Sequence, residues 1–393
     1  MSNTVRLGNI AKIYSGGTPS RSNPAYWGGD IPWVKTTQIQ NCHITEDDID
    51  EWITQDGMKK SSVKMVSEGT IIMAMYGQGK TRGQVAILDI EAAINQACAA
   101  LQLQTGVDRD FVYQQLRFLY DHIRSLSNSG GQKNLSAGLI RDIRLSLPDL
   151  PQQTAIADLL STWDEAIEKT ERLIQAKERR FQWLLRDTMS DSAKGNINNG
   201  RKKVAIGSFL TESRIPDTVN DPNKRLTVRL HLKGVEARDV RGTESSDATA
   251  YFIRKSGQLV YGKQNIFRGA VGIIPPELDG YASTQDIPAF YIDNTVDQDW
   301  LLFLFSYPGF YKKLEIYASG SGSKRLHSKD LFKIHISIPN LEAQKKLADG
   351  LSLARSEIDF LKDLTDRYKS QKRGLMQKLL TGQWRVRVDK EVA

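Results

Sequence analysis

The sequence predicts an α+β protein: two tandem mixed α/β domains separated by two long helices that pair as an antiparallel coiled coil, with pseudo-twofold symmetry. Three observations predict it. One apolar helical pattern occurs twice, the order of short motifs around it also occurs twice, and from the middle of each copy onward both recurrences share an offset of 191 residues.

The first helical pattern starts at Pro151 and carries Ile156, Leu160, Trp163, Ile167, Ile174, Phe181 and Leu184. The second starts after Pro339 and carries Leu347, Leu351, Ala354, Ile358, Leu361, Tyr368, Leu375 and Leu379. Steps of three, four and seven residues put each set on one stripe of a helix. Pro148 and Pro339 align at the 191 offset, which carries Ile156 to Leu347, Leu160 to Leu351, Ile167 to Ile358 and Leu184 to Leu375 without a gap. Asp149 with Gln152 resembles a capping box, and Pro151 suits an early helical position. A run of about 38 residues is a rod on the order of 57 Å long. Neither helix can bury its stripe alone, so each is the other's natural partner. Antiparallel pairing makes both helix–domain junctions equivalent.

Residues 1–148 form the first domain, and residues 149–191 the first long helix. Residues 192–203 are a Gly- and Asn-rich linker. Residues 204–338 are the second domain, residues 339–381 the second long helix and residues 382–393 a tail. In the first domain Ile31–Val34, Glu68–Met75, Gly83–Leu88 and Ala99–Leu103 read as strands, Asp110–Leu126 as a helix and Ile143–Pro148 as a closing strand. The same order returns. Val5-Arg-Leu-Gly recurs as Val204-Ala-Ile-Gly, and Thr81-Arg-Gly-Gln-Val-Ala-Ile as Phe267-Arg-Gly-Ala-Val-Gly-Ile. Asp110-Phe111 recurs as Asp299-Trp300, Gly131-Gln-Lys-Asn-Leu as Gly322-Ser-Lys-Arg-Leu, and Leu145-Ser-Leu-Pro as Ile336-Ser-Ile-Pro. A period near 190 residues indicates tandem domains rather than a solenoid.

Composition narrows the function. The chain has 393 residues, 40% hydrophobic and 25% charged, as in ordinary soluble globular proteins. It holds no apolar run of about 18 residues and no signal-peptide core at its start. Two cysteines, Cys42 and Cys98, argue against a disulfide framework and fit a reducing cytoplasm. Two Cys and five scattered His show no metal-ligand spacing. A formal charge of +8 suits a polyanionic partner.

Gly77-Gln-Gly-Lys-Thr-Arg-Gly looks like a phosphate loop, but Ala74 stands where the first glycine belongs and a strand pattern follows where a helix is needed. A basic hairpin tip carrying Tyr76, Gln78, Lys80 and Arg82 is the better reading, with Lys263, Asn265 and Arg268 in the second copy. Such side chains make base-edge and phosphate contacts. The glycine-containing loops before the last strand of each domain offer Gln132, Lys133 and Asn134, and Lys324, Arg325 and His327. Glycine lets backbone approach a ligand closely. Lys35 and Thr36, with Arg229 in the second copy, complete the candidates. Each also reads as a solvated turn or a solubilised edge strand. Asp47, Asp48, Asp50 and Glu51 read as an exposed acidic surface. No catalytic residues, cofactor site or metal site emerge: there is no dinucleotide fingerprint, no amino-methyltransferase motif and no nuclease-type carboxylate pair.

The duplicated order, with its glycine loops and its Leu-Pro and Ile-Pro helix starts, resembles the specificity (S) subunit of type I restriction–modification systems. Ile31-Pro-Trp-Val-Lys-Thr, Glu68-Gly-Thr-Ile-Ile-Met-Ala and Asn95-Gln-Ala-Cys resemble that family's target recognition domains. Pro148-Asp-Leu-Pro-Gln-Gln-Thr-Ala-Ile-Ala resembles the start of its conserved-region helix. The second domain departs more: Arg325 stands at the place of Asn134, and Asp286 follows Gln285 where Ala97 follows Gln96.

The resemblance implies a non-catalytic DNA-binding subunit in which each domain reads one half of a bipartite, asymmetric site in double-stranded DNA. It implies two methyltransferase (M) subunits as partners, restriction/translocase (R) subunits completing the complex, and S-adenosylmethionine and ATP only on those partners. Two other readings stand beside it. One is a nucleotide-dependent enzyme using Gly79-Lys80-Thr81. The other is a coiled-coil scaffold whose globular ends bind protein without reading DNA sequence.

Overall fold

The computed structural model describes residues 3–77, 79–126, 134–197, 200–239, 250–320 and 322–387. The chain divides into two compact units: residues 1–170 with 364–393, and residues 171–363. Each unit therefore takes one domain and part of both long helices.

In the first unit a five-stranded sheet runs in the order Ala11–Ser15, Cys98–Leu103, Ile71–Ala74, Val85–Leu88, Cys42–Ile44. All its pairings are antiparallel except the last. The apolar runs Ile71–Ala74 and Val85–Leu88 are buried at every residue because both sheet faces are covered. Ile71, Met73, Val85 and Ile87 enter one cluster, while Ile72, Ala74, Ala86 and Leu88 enter another. A four-stranded sheet places Trp52–Ile53, Trp27–Val34, Ala92–Ile94 and Met65–Val66 side by side. The helix predicted over 110–126 is two, Arg109–Phe118 and Tyr120–Ser125, broken at Leu119.

The second unit repeats four strands in the same spatial order: Leu210–Ser213, Ala289–Ile292, Leu259–Tyr261, Val271–Ile273. Both units also close on the same ribbon. Val5 pairs with Leu145 in the first, and Val204 with Ile336 in the second. The recurring sequence pairs are thus partners across a two-stranded antiparallel ladder.

The long helices are Leu150–Lys194 and Leu341–Leu380. The first runs into the segment expected to be linker, and strand Lys202–Ala205 takes up the linker's other end. In the first unit Ile156, Leu160, Leu375 and Leu379 pack with Phe111. Trp163 and Tyr368 meet edge to face, 5.7 Å between ring centroids. In the second unit Ile174, Phe181, Leu351 and Ile358 are buried, with Leu184, Leu347 and Leu361 packed against them. Ile167 is half-buried and joins neither cluster. Lys177 pairs with Glu357 at 2.6 Å and Glu178 with Lys362 at 2.7 Å. Farther along the first helix, the Asp191 carbonyl accepts from the Ser337 hydroxyl, just before the second helix begins. In both units, moving up one helix means moving down the other, so the pairing is antiparallel.

Each helix is clamped to its domain by one buried glutamine, a feature that the sequence reading missed. The Gln153 side chain accepts from the Asp108 N–H at 2.9 Å and donates to the Pro148 carbonyl at 2.8 Å. Gln344 does the same with the Asp297 N–H at 2.8 Å and the Pro339 carbonyl at 2.9 Å. Asp108 and Asp297 in turn cap the domain helices through the Phe111 and Trp300 N–H groups. The tail folds back as well: the Gln152 side chain donates to the Val386 carbonyl at 2.7 Å.

A buried polar knot joins the helices in the first unit. Lys372, 5% exposed, donates to Asp164 at 2.5 Å and to Gln114 at 3.2 Å. Arg117 donates to the same carboxylate at 2.7 Å. Burial works against the Asp164 charge, but Arg117 and Lys372 outweigh it, so its pKa is lowered. Burial and Arg117 press the Lys372 pKa down to about 8.

Two predictions follow from these contacts. Gln153→Leu or Gln344→Leu leaves a buried N–H and a carbonyl unpaired, and each should cost about 1–3 kcal/mol in urea unfolding. Between pH 8 and the unfolded-state value of 10.5 the unfolded chain holds the Lys372 proton more tightly than the folded one. The Lys372 contribution to stability should therefore rise with pH across that window. Lys372→Met removes that rise, which is read as a flatter stability–pH curve above pH 8.

Candidate nucleic-acid interface

Two loops meet at one end of each four-strand repeat. In the first unit Ile71–Ala74 and Val85–Leu88 form a hairpin closed by Gly83 N–H to Ala74 carbonyl at 2.9 Å. Gly77, Gly79 and Gly83 all take positive φ, which only glycine adopts freely. A strand follows the loop, so no helix N-terminus faces a phosphate there. The loop before the closing strand docks onto this hairpin through Leu135 N–H to Met75 carbonyl at 3.0 Å.

The second unit makes the same junction. Leu326 N–H donates to the Lys263 carbonyl at 2.9 Å. The strand partner of each hairpin is also equivalent: Met75 N–H donates to the Ala97 carbonyl, and Lys263 N–H to the Asp286 carbonyl, both at 2.9 Å. One backbone platform is thus built twice, and its side chains differ.

On the first platform Tyr76 is 40% exposed, Lys80 is exposed and Asn134 is half-buried. The Tyr120 hydroxyl donates to the Lys80 carbonyl and steadies the tip. Gln78, Gln132 and Lys133 lie outside the described residues. Arg82 does not stand at the tip. It is buried and donates to the Arg124 carbonyl at 2.9 Å, so it braces the hairpin against the helix below.

Lys35 also departs from its expected place. Its ammonium lies 2.6 Å from Glu51 and 3.0 Å from Asp50, with its side chain 22% exposed. The Glu51 hydrogen bond raises the Lys35 pKa. Burial pushes the Glu51 carboxyl up, but Arg21 and Lys35 outweigh it and hold its pKa low. The Arg21 guanidinium bridges to Glu51 at 2.6 Å and lies 3.7 Å over the Trp27 ring. The acidic run read as surface is in part the partner of these two cations. Thr36, half-buried, opens the short turn Thr36–Gln38 beside them.

On the second platform, Ser319 and Arg325 exchange backbone hydrogen bonds at 3.0 and 2.8 Å and close the glycine loop. Arg325 lies 3.6 Å from Asp286, with the Gln264 amide facing it, and Lys324 pairs with Glu315 at 3.0 Å. Burial pushes the Lys263 pKa down, and nearby Arg214 and Arg325 add to that. Asn265 precedes the turn Ile266–Arg268, on which Arg268 is exposed, and His327 precedes the short helix Ser328–Leu331. Arg229 pairs with Glu236 across the ribbon Leu226–Val228/Val235–Ala237. That ribbon's turn docks on the Arg268 segment, with His231 N–H to Arg268 carbonyl at 2.9 Å.

Sequence reading missed Arg214 and the buried Asp217–Arg225 pair, 2.5 Å apart with Arg225 stacked 3.7 Å over Tyr251. Nothing in the apolar periodicity signals them. No group of metal-ligating side chains occurs among the described residues, and none of their helices is long and apolar enough to cross a membrane.

A family model described as a type I restriction modification DNA specificity domain matches residues 2–178 and 270–367. Over 170 residues the chain is 25% identical to the type I restriction enzyme MjaIX specificity subunit of Methanocaldococcus jannaschii, which is 42% of this chain and 39% of that one. The match thus spans less than half the length of that relative. Over 413 residues it is 19% identical to the MjaVIII specificity subunit of the same organism, covering 98% of this chain and 93% of that one. Among solved structures, the S subunit of a type I restriction–modification system from M. genitalium shares the fold, with a TM-score of 0.59 and 14% identity over 96% of each chain.

The two hairpin residues separate cleanly by experiment. Arg82→Ala should lower stability by about 1–3 kcal/mol, because it orphans a carbonyl and empties its packing. Lys80→Ala should change stability by less than about 0.5 kcal/mol. Thermal unfolding of the two variants distinguishes brace from tip.

Proposed function

The chain belongs to the type I restriction–modification DNA specificity family, and from that premise we propose that it reads a bipartite, asymmetric site in double-stranded DNA, one half-site per unit. The observation that carries this reading is the platform built twice. Leu135 N–H to Met75 carbonyl and Leu326 N–H to Lys263 carbonyl set the same two loops side by side. Tyr76, Lys80 and Asn134 occupy the first, while Lys263, Arg268, Lys324 and Arg325 occupy the second. A shared scaffold with different tips supports two heads that recognise different sequences.

In this reading the chain is not itself an enzyme. It docks two methyltransferase (M) subunits and is joined in the cytoplasm by restriction/translocase (R) subunits. S-adenosylmethionine and ATP are bound by those partners. Trp183, Leu353 and Phe360 on the long helices are 60%, 74% and 65% exposed, apolar area that supports docking of the methyltransferase there. The paired helices fix the unread spacer, and each head raises the effective concentration of the other at its half-site.

One experiment tests both the reading and the spacer. Methylated adenines are mapped in DNA exposed to this chain and its methyltransferase partner. The chain is used unchanged, and also with four residues inserted in each long helix, after Thr170 and after Asp363. The unchanged chain should give one bipartite motif. The insertion adds about 6 Å and should lengthen the spacer by one or two base pairs at roughly 3.4 Å each, with both half-sites unchanged. A single contiguous motif defeats the two-headed reading; an unchanged spacer shows that the helices do not set it.

A further inference from the structure

In the second unit a cleft of about 270 Å³ opens where the first long helix ends beside the ribbon Lys202–Ala205/His335–Ile338. Four lysines line it: Lys194, Lys203, Lys313 and Lys333, together with His335 and Tyr317. They come from separate elements: the end of the long helix, both ribbon strands or their approach, and the turn Lys313–Tyr317. All four lysines are exposed. Lys194, Lys203 and Lys313 make no ion pair with the described residues, and Lys333 reaches only Asp330, at 4.0 Å. The floor is apolar, with Phe310, Leu314 and Ile334 buried beneath it.

These charges contrast with four cations elsewhere in the unit. Arg325, Lys324, Arg229 and Arg225 all have carboxylate partners. Four ammonium groups gathered around one cleft with a single distant carboxylate repel one another, and an anion relieves that repulsion.

The fold does not require these lysines. The closing ribbon exists in both units, but Thr4 stands where the second unit has Lys203, Asp142 where it has Lys333 and Arg144 where it has His335. In the first unit Asp142 instead pairs with Arg6 at 3.4 Å. The same backbone is therefore kept with Lys203 and Lys333 replaced, so the ribbon itself does not need these two lysines.

We infer that this cleft is a backbone-phosphate clamp for the DNA on the second unit's side, distinct from the loop platform that reads bases. The inference rests on the proposed DNA-reading function. The side chains favour phosphate over base edges. Lysine is a compact point charge suited to phosphate, whereas bidentate base reading calls for planar groups such as Arg, Asn or Gln. They also favour nucleic acid over an acidic protein segment. The rim is mostly cationic, carries Tyr317 as a further donor for phosphate oxygen, and has no carboxylate among its lining residues. Phosphate contacts of this type hold the protein in register and carry no sequence information.

The test uses the full chain assembled with its methyltransferase partner and a labelled duplex carrying the mapped site. Affinity is measured from low to moderate salt for the unchanged chain and for Lys313→Gln with Lys333→Gln. Both residues are exposed, and glutamine keeps most of the side-chain length. The unchanged assembly should lose affinity steeply with salt. The double variant should flatten the slope of log affinity against log salt by about 2, near 0.9 per lost phosphate contact. Its methylated motif and its melting temperature should be unchanged. Lys345→Gln with Lys346→Gln, the same charge change on the second long helix, should leave the slope within about one unit. An unaltered slope in the Lys313/Lys333 variant, an equal flattening in the control or a changed motif each overturns the clamp. So does loss of subunit assembly at unchanged DNA affinity, which would assign the cleft to protein. If the unchanged assembly shows neither salt-dependent binding nor a motif, the DNA-reading function itself fails, which is a separate result.

Discussion

In each unit one buried glutamine ties the long helix to its domain. Gln153 and Gln344 bind, through a single side-chain amide, the carbonyl of the proline two residues ahead of the long helix and the N–H of the aspartate that caps the domain helix. Both are almost wholly buried, at 2% and 0% exposure. A buried amide with its hydrogen bonds satisfied tolerates little change in angle, because any tilt leaves a polar group unpaired. Helix and domain are thereby fixed to one another. Without that constraint each loop platform would have no defined position on its own helix.

The helix pairing itself is less symmetrical than its sequence register. At the 191 offset Asp164 corresponds to Arg355, and Lys372 to Phe181. Both correspondences are contacts: Lys372 binds Asp164, while Arg355 lies 5.7 Å over the Phe181 ring. The domain helices follow suit, with Gln114 meeting Lys372 in one unit and Phe303 meeting Phe181 in the other. One unit holds its helices with a polar knot, and the other with rings packed edge to face and one cation. A buried charge cluster contributes little net stability but penalises the wrong partner strongly. Were Arg355 to face Lys372, two cations would meet without a carboxylate. The divergence thus specifies the pairing of the first helix with the second, over either helix with its own kind.

Much of this was legible in the sequence because the chain contains its own comparison. Two copies of one order separate what the fold demands from what varies, and the recurring pairs Val5/Leu145 and Val204/Ile336 are ladder partners. The apolar stripe reported the helices because periodicity is a record of burial. It is silent on polar partners distant in sequence. Lys35 reads as a free cation because its carboxylates lie fifteen and sixteen residues on, in a run that looks like surface. Arg82 reads as a hairpin tip because its acceptor, the Arg124 carbonyl, belongs to a helix forty-two residues away. Gln153 and Gln344 recur at the shared offset, yet a glutamine in a first helical turn reads as solvated capping. Strands Ala11–Ser15 and Leu210–Ser213 carry little sequence signal because each is short and only partly apolar.

The pairing of cations at the candidate reading surface has a consequence for how such a surface discriminates. Lys35, Arg229, Lys324 and Arg325 each hold a carboxylate in the free protein. A cation already paired adds little long-range attraction, since its field is cancelled by its partner within a few ångströms. It can engage DNA only by exchanging that carboxylate for an acceptor of better geometry, so the exchange is favourable at the right base and unfavourable elsewhere. On the proposed reading, these four cations add discrimination and little indiscriminate attraction. Affinity then draws on exposed Lys80 and Arg268 at the heads, on two heads acting together, and on unpaired cations that sit away from the bases.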